Sequence, residues 1–207
     1  CPHGEAPDEV LFPEIFRLYE ENRDKGGEPY FSFNVTYQGH GPYGTEDVWR
    51  GEHFTDGRYS TETANIVDNY LGSVMDTGRQ LQVLFDRFRE EERPVVLVVF
   101  GDHKPWLGYG NSAYQELGVN LDLASEEGFY NYYATRYLLW ANDAAKAALG
   151  RELTGEGPDV SSCFLGSHWT RGMQACSHLV VGVCVDCLSA QQHLHWTPKL
   201  SESRWLD

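Results

Sequence analysis

Apolar residues recur at helical spacing between Asp8 and Arg23, at Val10, Leu11, Ile15, Phe16, Leu18 and Tyr19, and the pattern stops at Gly26-Gly27. That spacing predicts an amphipathic helix. The run from Tyr30 to Tyr37 is rich in aromatic and β-branched residues and ends in the turn cluster Gly39-His40-Gly41-Pro42, so it reads as a buried strand. A loop dense in glycine and polar residues follows, to Arg58. From Thr61 to Glu92, residues Ile66, Tyr70, Val74, Leu81, Leu84 and Phe88 hold one stripe, the pattern of a long helix lying along a sheet, with Gly78 as the place where it could ease.

Val95 to Phe100 is continuously apolar, which predicts a central strand covered on both faces. It ends abruptly at Gly101-Asp102-His103. After a mixed segment, Tyr137 to Trp140 reads as a further strand, and Asp143 as the cap of an alanine-rich helix through Leu149. Helices alternating with strands predict an α/β layered fold. Past Leu165 the periodicity is lost, apart from an apolar patch from Leu179 to Val183. The expected organisation is therefore one domain over residues 1–165 and an atypical tail over residues 166–207.

Composition narrows the function classes. The chain has 207 residues, 41% of them hydrophobic, enough for one sizeable core. Its 31 acidic against 16 basic residues give a net charge of −15, which repels nucleic acid and anionic membrane surfaces. No stretch approaches the roughly 20 apolar residues that cross a bilayer, and no signal segment opens the chain. The chain begins with Cys1 and runs quickly into helical pattern, which we read as an incomplete product. Cys163, Cys176, Cys184 and Cys187 crowd the tail, so no disulfide framework spans the core.

The sharpest chemical signal is the delivery of Asp102 and His103 at the carboxyl end of an apolar strand, where open α/β sheets place their ligands. A carboxylate oxygen beside an imidazole nitrogen suits a divalent ion such as Mn²⁺ or Zn²⁺. Without the strand before it, such a pair fits a cap and a surface histidine as well. His40 also follows a strand directly and is flanked by glycines that allow close backbone approach. An imidazole there can bind or protonate a phosphate oxygen, or be satisfied within its own turn. Lys104 could set a positive charge near an anionic substrate, with Trp106 beside it; a solvated lysine fits equally. His53 and Arg58 lie in the long loop, where residues often touch substrate. Cys184, Cys187, His193 and His195 offer zinc-ligand atoms, but the spacing between them is poor for a zinc site. Gly-rich phosphate loops, Gly-x-Ser-x-Gly elbows and His-Glu-x-x-His segments are absent.

The segments Phe33 to Tyr43, Tyr70 to Thr77, Val98 to Gly108 and Tyr137 to Asp143 together resemble the lipoteichoic acid synthase-like family, in that family's order, over about residues 8–165. The resemblance implies an incomplete α/β/α sandwich of the alkaline phosphatase and sulfatase type, its C-terminal half. It further implies that Asp102 and His103 are two ligands of a catalytic divalent cation, usually Mn²⁺, and that His40 contacts the phosphoglycerol group. The implied reaction moves glycerophosphate from a phosphatidylglycerol-type lipid, through a phospho-threonine, to a glycan or polymer acceptor. By resemblance the parent protein is membrane-anchored and works on the outer face of a bacterial membrane.

Three departures accompany the resemblance. The family's metal-binding glutamate and nucleophilic threonine come earlier in the chain and nothing before His40 matches them, so this chain alone is expected to be inactive. Arg136 stands where relatives typically carry a proline. Residues 166–207 lose the family pattern, as a shifted reading frame or disorder would produce. A sulfatase or phosphodiesterase of the same superfamily, or a non-catalytic remnant that binds metal or anion, remain the alternatives.

Overall fold

The computed structural model describes residues 7–26, 29–54, 56–162, 164–165 and 180–184. The elements follow in the order α1 (Asp8–Asp24), β1 (Phe31–Val35), α2 (Thr61–Arg89), β2 (Val96–Phe100), a 3₁₀ turn (Tyr109–Asn111), α3 (Ser112–Glu116), α4 (Glu126–Tyr133), β3 (Tyr137–Ala141), α5 (Asp143–Leu149) and β4 (Val180–Cys184). The four strands form one sheet in the order β1-β4-β2-β3. β4 runs parallel to both β1 and β2, while β3 is antiparallel to β2. β1 and β2 therefore point the same way with α2 between them, and their carboxyl ends reach one edge of the sheet.

The apolar run predicted as a central strand is one: Val96 to Val99 are buried, with β4 and β3 on either side. Leu97 and Val99 pack against Phe12, Ile15, Phe16, Leu81, Leu84 and Phe88 of α1 and α2. On the opposite face Val96 meets Ala141 and Ala145, and Val98 meets Leu165. Each fully buried side chain of this size contributes about 1.5–3 kcal/mol, so the register of β2 is held from both faces. α2 is unbroken through Gly78; its amino end is capped by Ser60, whose Oγ accepts from Thr63 N (3.2 Å).

Two expectations are corrected. The segment read as a buried strand is the edge strand β1, and Phe31, Phe33 and Val35 on its outer row are 68%, 58% and 56% exposed. Aromatic content made the strand, but burial depends on what covers that face. The cap of α5 is Asn142 rather than Asp143: Asn142 Oδ1 accepts from Ala145 N (2.9 Å), while Asp143 is exposed in the first turn. The apolar patch past Leu179 forms β4, in the middle of the sheet.

Candidate active site

The turn after β1 is tied to α2. Gln38 is buried, and its Oε1 accepts from Asp8 N (3.0 Å) while its amide donates to Ser73 O (3.4 Å). Gly39 has φ +90° and lies so close to α2 that a Cβ would sit 3.1 Å from Ser73 Cβ, a place where only glycine is unstrained. The Tyr43 hydroxyl donates to Gly39 O, and the Tyr43 ring packs edge-on against Tyr70 at 5.7 Å. His40 is thereby carried on an anchored turn. Its Nδ1 lies 2.8 Å from Gly41 O; a carbonyl only accepts, so Nδ1 carries the proton and Nε2 is the acceptor nitrogen. The Tyr37 ring stacks on the imidazole at 5.0 Å and 6°.

The turn after β2 is held from β3. Gly101 N donates to Arg136 O (3.1 Å), and Thr135 Oγ1 donates to Gly101 O (2.6 Å). Asp102 Oδ1 accepts from His103 N (2.8 Å), and His103 Nδ1–H donates to Lys104 O (2.9 Å). The second carboxylate oxygen, Asp102 Oδ2, then lies 3.6 Å from His103 Nε2, both side chains being partly exposed. Pro105 and Leu107 bury the stem of the loop, Leu107 among Tyr43, Ile66, Tyr70 and Ala113. That cluster joins the two turns, and the His40 and His103 rings meet edge to face at 6.3 Å between centroids.

The structure thus brings His40, Asp102 and His103 to one place. An oxygen and an acceptor nitrogen 3.6 Å apart can share one ion at bonds of about 2.1 Å, so the pair fits a divalent cation. Among the described residues no group of three or more His, Cys, Asp or Glu side chains is arranged to hold a metal; the pair offers two donor atoms, fewer than the four of a closed site. Lys104 is half-buried beside them; burial, and secondarily the charge of Arg136, bring its ammonium down from 10.5 to about 8. Trp106 is exposed at the same loop.

The other candidates fall elsewhere. His53 is fastened to the loop and α2: its ring lies 2.9 Å from Arg50 O, and its backbone N–H donates to Asp68. Arg58 pairs with Asp56 and lies over Tyr59. Neither makes a hydrogen bond, ion pair or ring contact with His40, Asp102 or His103. Cys187, His193 and His195 lie outside the described residues, and Cys184 is described only as backbone of β4. Tyr37 was not singled out in the sequence, although an aromatic three residues before a turn histidine was the available signal. The place of Arg136 opposite Gly101 follows from strand register, which the sequence does not print.

Residues 1–158 match the Sulfatase family model. The chain belongs to the Sulfatase family. Members of this alkaline phosphatase and sulfatase superfamily use divalent metals and act as hydrolases or transferases, in keeping with the carboxylate and imidazole at the end of β2. A protein of Rhizobium meliloti (strain 1021), named for cyclic beta-1,2-glucan modification, is 30% identical over 142 residues, which is 66% of this chain and 21% of that protein. This Sulfatase-family chain therefore spans about a fifth of the length of the curated relative it matches. No solved structure matches it. No helix among the described residues is long and apolar enough to cross a membrane.

Proposed function

We propose that this chain is the C-terminal, metal-holding part of a phosphoglycerol transferase of lipoteichoic acid synthase type, with the α/β/α sandwich completed by polypeptide outside it. The parent moves glycerophosphate from a phosphatidylglycerol-type lipid to a glycan or polymer acceptor, outside a bacterial membrane in which it is anchored. The observation that carries the reading is the convergence of His40 with Asp102 and His103, the rings of the two histidines being 6.3 Å apart. The name of the 30%-identical relative, which refers to modification of a glucan, supports a glycan acceptor.

In this reading Asp102 Oδ2 and His103 Nε2 hold the cation, most suitably Mn²⁺. When bound, the ion supplies positive charge against the phosphoryl oxygens. His103 keeps its acceptor nitrogen toward that position because Nδ1–H is committed to Lys104 O. His40, with Nδ1–H committed to Gly41 O, takes a hydrogen bond or proton from a glycerol hydroxyl at Nε2. Tyr37, stacked on that ring, limits its rotation. The threonine that receives the phosphoryl group belongs to the segment outside this chain, so the chain by itself turns nothing over.

A sulfate-ester hydrolase is the second reading, favoured by the family description itself. Transfer assays separate the two. In the parent protein, His40→Ala lowers glycerophosphate release from phosphatidylglycerol by about a hundredfold or more, with no comparable activity on a sulfate ester. Efficient sulfate-ester cleavage, or turnover by the 207-residue chain alone, contradicts the proposal.

A further inference from the structure

The eleven residues from Pro105 to Gln115 carry no charged side chain, in a chain of which 23% is charged. They hold instead Trp106, Tyr109, Asn111, Ser112 and Gln115, rings beside amide and hydroxyl groups. The backbone of this stretch is tightly fixed. Pro105 O accepts from the Tyr114 hydroxyl (3.2 Å), Leu107 O from Ala113 N (3.1 Å), Gly108 O from Asn111 N (3.1 Å) and Gly110 O from the Gln115 amide (3.0 Å). Leu107 is buried, and Gly108, with φ +79°, lies so close to α3 that a Cβ would sit 2.2 Å from Ser112 Oγ. Between these anchors the two rings are left in solvent, Trp106 being 72% and Tyr109 99% exposed. Single exposed apolar side chains are ordinary. Two large rings within four residues, on a backbone held in one conformation, are instead presented in advance for a ligand. The loop also adjoins the site, since a Cβ on Gly41, the neighbour of His40, would sit 3.8 Å from Trp106 O.

We propose that Trp106 and Tyr109 form a stacking platform for a neutral glycan built of β-linked glucopyranose, the acceptor of the transfer. In that sugar the hydroxyls are equatorial and the axial C–H bonds leave both ring faces apolar. Such a ring lies flat on an indole or a phenol, while amide and hydroxyl groups at the rim meet its hydroxyls. The uncharged stretch offers an anionic polymer no ion pair, and the net charge of −15 repels polyanions and anionic lipid surfaces alike. The inference rests on the transferase reading only for calling the glycan an acceptor, because stacking needs neither the metal nor the donor lipid.

The test is binding of neutral β-linked glucohexaoses of several linkages to the full 207-residue chain, measured calorimetrically at pH 7 with EDTA present. Trp106→Ala weakens binding about tenfold or more and Tyr109→Ala about threefold or more. Trp106→Phe retains most of it, because a flat apolar ring is what the sugar requires. Both side chains are exposed, so the thermal midpoint of each variant stays within about 2 °C of the unaltered chain. Glycerophosphate release from phosphatidylglycerol by the parent protein reports on the transferase reading separately. Glucan binding without that release contradicts the transferase reading and not the platform, and release without glucan binding contradicts the platform alone. Binding to none of the glucohexaoses, or binding indifferent to both alanine substitutions, overturns the proposal. So does a platform that serves a membrane: binding to phosphatidylcholine and phosphatidylglycerol vesicles that both alanine variants lose, with no sugar binding.

Discussion

Away from the site, Asp8 is a buried carboxyl. It opens α1 fully buried, receives a hydrogen bond from Thr77 Oγ1 (2.6 Å) and turns its backbone N–H to Gln38. Burial outweighs the Thr77 bond and pushes its carboxyl up from 3.8 to about 6. The folded state therefore binds the Asp8 proton more readily than the unfolded state. Its contribution to stability is fully present below 3.8 and is lost as pH rises through about 6, amounting to at most about 3 kcal/mol. Asp8→Asn keeps an acceptor for Thr77 and removes the ionisation. Urea unfolding at pH 4.5 and 7.5 should show the variant more stable than the unaltered chain at the higher pH, with the gap closing at the lower. The same helix-to-turn contact matters to the site, because Gln38, which Asp8 holds, is two residues from His40.

At the scale of elements, Asn142 is the joint between α2, β2 and α5. Its amide donates to Glu91 O and Arg93 O (2.8 Å each), and its Oδ1 accepts from Val95 N and Ala145 N (2.9 Å each). Asn142→Ala leaves these buried groups without partners and should cost about 3 kcal/mol or more, read as a lowered thermal midpoint. Asn142→Asp keeps the cap but loses the bonds its amide donates to Phe88 O, Glu91 O and Arg93 O, so it should be nearly as damaging. Asp143 was the expected cap, but its neighbour Asn142 is an equally favourable residue type there, and local preference does not choose between them. What decides is the demand of the α2-to-β2 connection for donors, which a carboxylate lacks. Helices α1 and α2 and the strand β2 were legible because their patterns run long enough to fix a period. β1 was legible as a strand but not in its exposure, since Phe31 and Phe33 look the same whether or not another layer covers them. β4 was hidden by the irregular sequence around it.

At the scale of the whole molecule, the site depends on two turns far apart in sequence meeting at one edge of the sheet. The sequence indicated each turn separately, because His40 and Asp102-His103 both follow strand-like runs. Their meeting depends on β1 and β2 running parallel with α2 crossing between them, which periodicity alone does not dictate. The measurement that bears most directly on this arrangement is Mn²⁺ titration of the purified chain at pH 7.5 and pH 5.0, with and without Asp102→Asn. We predict one equivalent bound at pH 7.5, weaker binding in acid as protons compete for the imidazole, and a loss of affinity of about tenfold or more in the variant. Affinity unchanged by Asp102→Asn, or equal at both pH values, would contradict a cation shared by Asp102 and His103.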